Sequence, residues 1–151
     1  MEVVEENNLN LDYVQLCGFK IGEGYYAVPV LEVQEVVKPQ KVTKVPLSPD
    51  YIEGLINLRG QVVTSINLRT LFKLDGAEPD EFMNVIVRSK DSLYALVVDE
   101  ILDVIDVPNN SFEETPDTLD DNLRKYIEGV YKLKDKLLIS LSIEKLINVD
   151  E

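Results

Sequence analysis

Histidine is absent from this chain, and only one cysteine is present. Ser-His and Cys-His nucleophilic machinery and the commonest metal ligand are therefore missing. One Cys without His also rules out the usual zinc sites. No GxxxxGK[ST] or GxGxxG run occurs, so no phosphate cradle is expected. The 28 Asp and Glu residues leave carboxylate acid/base chemistry open, but no spacing singles out a pair. Cys17 lies inside the apolar run YVQLCGFKI and reads as a core residue rather than a nucleophile. The expectation is no catalytic set, no metal and no cofactor. Binding or scaffolding comes first, and a ligand-binding or carboxylate-dependent β-barrel is the alternative from another class.

Charge then selects the residues that could bind. The net charge is −13. Such a surface repels phosphate backbones and anionic lipid heads, so neither nucleic acid nor a membrane surface is expected as a partner. Against that background a local basic spot stands out as a docking point. Arg59 is one of only four arginines. Its guanidinium offers a fork that bonds a carboxylate at two points, which Lys does not reproduce.

Arg59 must be presented by something. LINL–RG–QVVTSIN (55–67) is two apolar runs around a two-residue tip, the clearest hairpin signal in the chain, with Gly60 permitting the turn. Other segments follow the same pattern. YVQLCGFKI, the turn GEG and YYAVPV read as a hairpin, as does NVIVRSKDSLYALVV (84–98) with a turn near Lys90–Ser92. LEVQEVV (31–37) fits a short helix or a strand. NLRTLF and SIEKLI read as single capped helical turns behind Asn67 and Ser142. LDGAEPDEF (74–82) is a loop, and 109–126 is an acidic, turn-rich excursion ending in a possible helical turn. About ten short strands favour an all-β barrel or a pair of barrels, with a single sandwich as the alternative.

The chain also repeats itself. YAVPVLEVQEVV (26–37) aligns with YALVVDEILDVI (94–105), with five of twelve positions identical. YIEGLINLRGQVVTSINLRTLF (51–72) aligns with YIEGVYKLKDKLLISLSIEKLI (126–147), with seven of 22 identical. Two collinear blocks indicate two similar β units, each too small to be comfortably stable alone and therefore expected to share a core. In each YIEG, Gly is expected to let backbones approach closely. The first copy turns at Arg59-Gly60. The second turns at Lys134-Asp135, which reads as a self-neutralising surface turn.

The block Gly54-Leu-Ile-Asn-Leu-Arg-Gly60, followed by QVVTSINLR, resembles the CheW family of bacterial chemotaxis coupling proteins. YYAVPVLEVQEVV, YALVVDEILDVI and GVYKLKDKLLISLSIEKLI extend the likeness in order over residues 13–148. The resemblance implies two packed SH3-like five-stranded β-barrel subdomains with a few short helical turns. They would occupy about 13–75 and 83–148 within one domain, with terminal strands free to exchange, behind a flexible segment 1–12. It implies a cytoplasmic adaptor linking the cytoplasmic tips of methyl-accepting chemoreceptors to the regulatory domain of the histidine kinase CheA. An adaptor of a related pathway, such as surface motility, is a second possibility within that class. The N-terminus MEVVEENNLNLD has no basic region and no apolar run, so no secretory signal is expected.

By the same resemblance, Val33, Glu35 and Arg59 contact the receptor, in a groove that takes a helical tip. Gly54, Asn57 and Gly60 shape the backbone that presents Arg59. Glu35 and Arg59 are expected to lie close enough to pair and orient each other. Two positions depart from the family pattern. Thr64 stands where Pro is usual, and Asn67 stands where Asp is usual. Asn still caps a helix, so the fold is not in doubt, but losing an acid there alters the local charge.

Overall fold

Alternating and continuous apolar runs bounded by Gly, Pro and Asp do form strands. The computed structural model describes residues 12–76 and 79–148. The proposed flexible segment 1–12 lies outside these residues except for Asp12. Among the described residues there are twelve strands and three short helices. The strands of the first half are β1 (Tyr13–Ile21), β2 (Gly24–Pro29), β3 (Val33–Val37), β4 (Val42–Thr43), β5 (Ile52–Leu58) and β6 (Gln61–Asn67). Helix α1 (Leu68–Leu71) follows. The second half has β7 (Met83–Ser89), β8 (Ser92–Val98), β9 (Glu100–Pro108), β10 (Phe112–Glu113), α2 (Asp121–Arg124), β11 (Ile127–Lys132), β12 (Leu137–Leu141) and α3 (Ile143–Ile147). The ambiguous run LEVQEVV resolves into both of its readings, a 3-10 turn at Val30–Glu32 after Pro29 and then β3.

The strands form two six-stranded sheets, ordered β10-β11-β12-β2-β1-β9 and β3-β7-β8-β6-β5-β4. Each has one strand more than a five-stranded barrel, because the two-residue β4 or β10 adds to an edge. The sheets do not divide where the sequence repeat does. The hairpin β1–β2 joins the sheet of β9–β12, and β7–β8 joins that of β3–β6. The junctions are pairings that no tight turn specifies: parallel for β2 with β12 and β6 with β8, antiparallel for β1 with β9 and β3 with β7.

The repeat is real in three dimensions. Ala27 pairs with Ser140 across β2 and β12, and the equivalent Ala95 pairs with Ser65 across β8 and β6. Asn67 N–H bonds the Tyr51 carbonyl at 2.7 Å, and Ser142 N–H bonds the Tyr126 carbonyl at 2.9 Å. Each of these two residues also caps its helix, Asn67 accepting from Thr70 N and Ser142 from Lys145 N. Each sheet encloses a small core of its own. Ile56, Val63 and Ala95 belong to one, and their repeat partners Tyr131, Leu138 and Ala27 to the other. A larger core draws on both sheets and all three helices, including Phe19, Val85, Leu123, Leu141 and Leu146. Its spine is a run of rings, Phe19–Tyr26–Phe72–Tyr126, with successive centroids 6.3, 5.6 and 5.7 Å apart. That spacing suits offset or tilted aromatic packing. Two cores too small to stand alone are thus joined by a third that neither half supplies by itself.

Cys17 belongs to the large core and is 7% exposed. Burial pushes its thiol above the ordinary range, which leaves the sulfur in its unreactive form.

Candidate functional site

The β5–β6 hairpin turns at Arg59 and Gly60 with φ of 53° and 87°. Positive φ at both tip residues gives the turn the twist that flanking strands need, and Gly at the second position accepts it without strain. Nothing lies within 4 Å of where a Gly60 side chain would start, so backbone angle rather than space selects this glycine. Asn57 Oδ1 accepts a hydrogen bond from Gly60 N at 2.8 Å and fixes the tip from below. Gly54 is chosen for a different reason. At φ 145° a Cβ there would collide with the Thr43 carbonyl and lie 2.6 Å from Val42 Cγ1. Its bareness lets β4 lie on β5, at a shift of register between Ile52 and Gly54.

Arg59 Nη2 donates to Glu35 Oε2. The expected pairing of these two residues is present. Glu35 comes from β3, the opposite end of the sheet order from the β5 edge, so the sheet has curled until its ends approach. The side chains are 65% and 28% exposed, leaving the guanidinium free to bond a second carboxylate. Val33 does not join the ion pair. A bulge between Val33 and Glu35 shifts the register against β7, and Val33 is half-buried against the large core. Exposed apolar surface on the neighbouring strands comes from Val36, next to Glu35 in β3 but on the other face of the sheet, and from Val62, which is 68% exposed and stands opposite Asn57. Gln34 Oε1 accepts from Arg88 Nη2 at 3.0 Å along the same strand.

Both family departures lie on β6, away from the tip. Thr64 on β6 lies between Leu55 of β5 and Tyr94 of β8. Asn67 is 3% exposed, and its Nδ2 donates to Glu53 Oε2 at 2.8 Å while its Oδ1 caps α1. An amide uses both of its ends here, whereas a carboxylate would face Glu53 with like charge.

One polar node was not anticipated from sequence. Arg69 Nη2 donates to Asp99 Oδ2 at 2.5 Å, and the same oxygen accepts from Gly22 N at 2.7 Å. This node ties α1, the β8–β9 junction and the β1–β2 tip together. The carboxylate of Asp99 adds to burial in raising the Tyr26 hydroxyl above its ordinary range. The rarity of arginine marks Arg69 as much as Arg59, but no local pattern links it to Asp99.

The family of CheW-like domains matches residues 15–151. The chain belongs to that family. It is 33% identical to the chemotaxis protein CheW of Helicobacter pylori, over 93% of this chain and 86% of the relative. It is 34% identical to the chemotaxis protein CheW of Treponema pallidum, over 95% and 87% respectively. Among solved structures, the scaffolding protein TtCheW from Thermoanaerobacter tengcongensis superposes with a TM-score of 0.79 at 31% identity, covering 87% of this chain and 90% of that one. The all-β CheW fold of two SH3-like subdomains is therefore the fold of this chain. No helix among the described residues is long and apolar enough to cross a membrane.

Proposed function

We propose that this CheW-family chain is a chemotaxis scaffold that couples the cytoplasmic tips of chemoreceptors to the histidine kinase CheA, in the cytoplasm. Family membership supports the scaffold role over a ligand-binding or carboxylate-dependent barrel. The observation that carries the receptor half is the Arg59–Glu35 pair, held at an exposed tip by Gly54, Asn57 and Gly60. Val36 on β3 and Val62 on β6 add exposed apolar surface on the strands that flank it. A helical receptor tip needs this combination, apolar contact for affinity and a charged group for register. Val33 acts from beneath, by packing β3 against the core.

The mechanism requires no bond-making. A scaffold that fixes receptor and kinase relative to one another lets a change in the receptor bias the kinase equilibrium. Individual contacts need not be tight where many are arrayed together. The test is a titration of the chain against a receptor-tip helical hairpin and against a CheA regulatory domain. Binding to both at tens of micromolar or better is expected. Binding to neither would end the proposal. A double-mutant cycle with Arg59→Ala and Glu35→Ala then measures whether the pair acts as a unit on receptor affinity. Additive losses would show that Glu35 does not orient Arg59.

A further inference from the structure

A second cationic feature lies away from the Arg59 tip. Lys20 on β1 and Lys136, just before β12, converge on the ring of Tyr25 on β2, with their Nζ atoms 5.5 and 4.6 Å from its centroid. The sheet brings them together. Lys20 pairs with Tyr25 across β1 and β2, and Leu138 pairs with Tyr25 across β12 and β2. Lys134 stands exposed at the adjoining hairpin tip. Acids on the adjoining elements are Asp135 at that tip, Glu23 at the β1–β2 tip, Glu100 opposite Lys20 on β9, and Asp99, whose N–H bonds the Lys20 carbonyl and whose carboxylate is held by Arg69 and Gly22 N. Among the described residues, none of Lys20, Lys134 and Lys136 forms an ion pair. By contrast Lys132 is engaged by Glu113 at 3.4 Å.

Two ammonium groups repel each other, yet here one ring gathers both, in a chain of net charge −13 with 28 acids to choose from. The attraction of each ammonium to the ring offsets part of that repulsion. We propose that the Lys20–Tyr25–Lys136 cluster is a docking point for an acidic segment of a partner protein. Carboxylates would bridge the two lysines, and the aliphatic stems over the ring would supply apolar contact. A short acidic segment fits better than a nucleic acid. The repeated phosphates of a polymer would run past the cluster onto the acidic surface around it. Lysine point charges also accept a carboxylate without the fixed fork geometry of arginine, so the site selects charge rather than a single conformation. The cluster does not depend on the receptor reading of Arg59.

The test uses the full chain labelled for amide NMR and hexaglutamate as the probe. Shifts should concentrate on residues 20, 25 and 134–136, and affinity should fall several-fold as salt rises from about 50 to about 200 mM. Lys20→Gln with Lys136→Gln should weaken binding by about tenfold or more while amide spectra show the fold retained, and Arg59→Ala should leave it unchanged. Three results would overturn the proposal. One is shifts scattered over the whole surface. Another is binding indifferent to the double lysine variant. The third is a single-stranded oligodeoxynucleotide that binds the cluster as tightly as the peptide.

Discussion

The two YIEG hairpins are one device used twice, with different ends. In both, a glycine lets a two-residue strand lie on the hairpin, β4 over Gly54 and β10 over Gly129. In both, the Tyr carbonyl accepts from the residue that caps the helix after the return strand. The tips then diverge. Arg59 and Gly60 have positive φ, while Lys134 and Asp135 do not. Arg59 reaches across to Glu35 on β3. The repeat partner of Glu35 is Asp103 on β9, exposed, and Lys134 has no ion pair among the described residues. The lysines that engage near the second tip are Lys132, on Glu113, and Lys136, on Tyr25. What the copies share is backbone packing, and what separates them is where each tip sends its cation.

The largest effect should come from breaking the shared part. At Gly54 an alanine meets the Thr43 backbone and also sits at φ 145°. Neither atom can move without displacing β4, so Gly54→Ala should cost about 2–4 kcal/mol. At Gly129 the obstacles are the Glu113 carbonyl at 2.6 Å and the end of the Phe112 ring, with no positive φ. The ring is 41% exposed and can swing aside. Gly129→Ala should therefore cost about 1–2 kcal/mol. Urea midpoints at equal slope measure both. Equal losses would mean that φ at Gly54 adds nothing to the clash.

Much of this architecture was legible beforehand, and the parts that were not share a physical character. Hairpins are local, so Arg59-Gly60 and Lys90-Asp91 announce their turns within a few residues. The repeat was visible because packing around Gly54 and Gly129 demands the same residue types twice. The exchange of β1–β2 and β7–β8 between sheets left no local trace. It rests on pairings between segments far apart in sequence, parallel at β2–β12 and β6–β8 and antiparallel at β1–β9 and β3–β7. The Arg69–Asp99–Gly22 node was hidden for a related reason. One acid among 28 has no periodicity to mark it, and its partners lie 30 and 77 residues away. Val33 is half-buried against the large core beside a bulge that no residue type announces.

The divergent tips give the next test. Arg59→Ala should leave the urea midpoint within about 0.5 kcal/mol of the parent, since an exposed ion pair contributes little. It should weaken binding of a receptor-tip hairpin about tenfold, because the lost contact there is a desolvated charged one. Lys134→Ala should change neither. Equal losses of receptor affinity in the two variants would erase the functional distinction between the tips.

The smallest effect concerns the caps. Asn67 and Ser142 hold equivalent places, but only Asn67 also donates to a carboxylate, that of Glu53. Asn67→Asp keeps a good cap acceptor and replaces the donor with a second negative charge beside Glu53. Two facing carboxylates raise each other's pKa in the folded state above the unfolded values. The pair then destabilises the fold once both ionise, and the loss disappears as pH falls through the carboxylate range. Asn67→Asp should thus cost about 1 kcal/mol at pH 7 and much less near pH 4. Adding Glu53→Gln should recover the loss at pH 7, because the new amide donates to the aspartate. A pH-independent loss that Glu53→Gln does not relieve would mean that shape, not charge, distinguishes the first cap from the second.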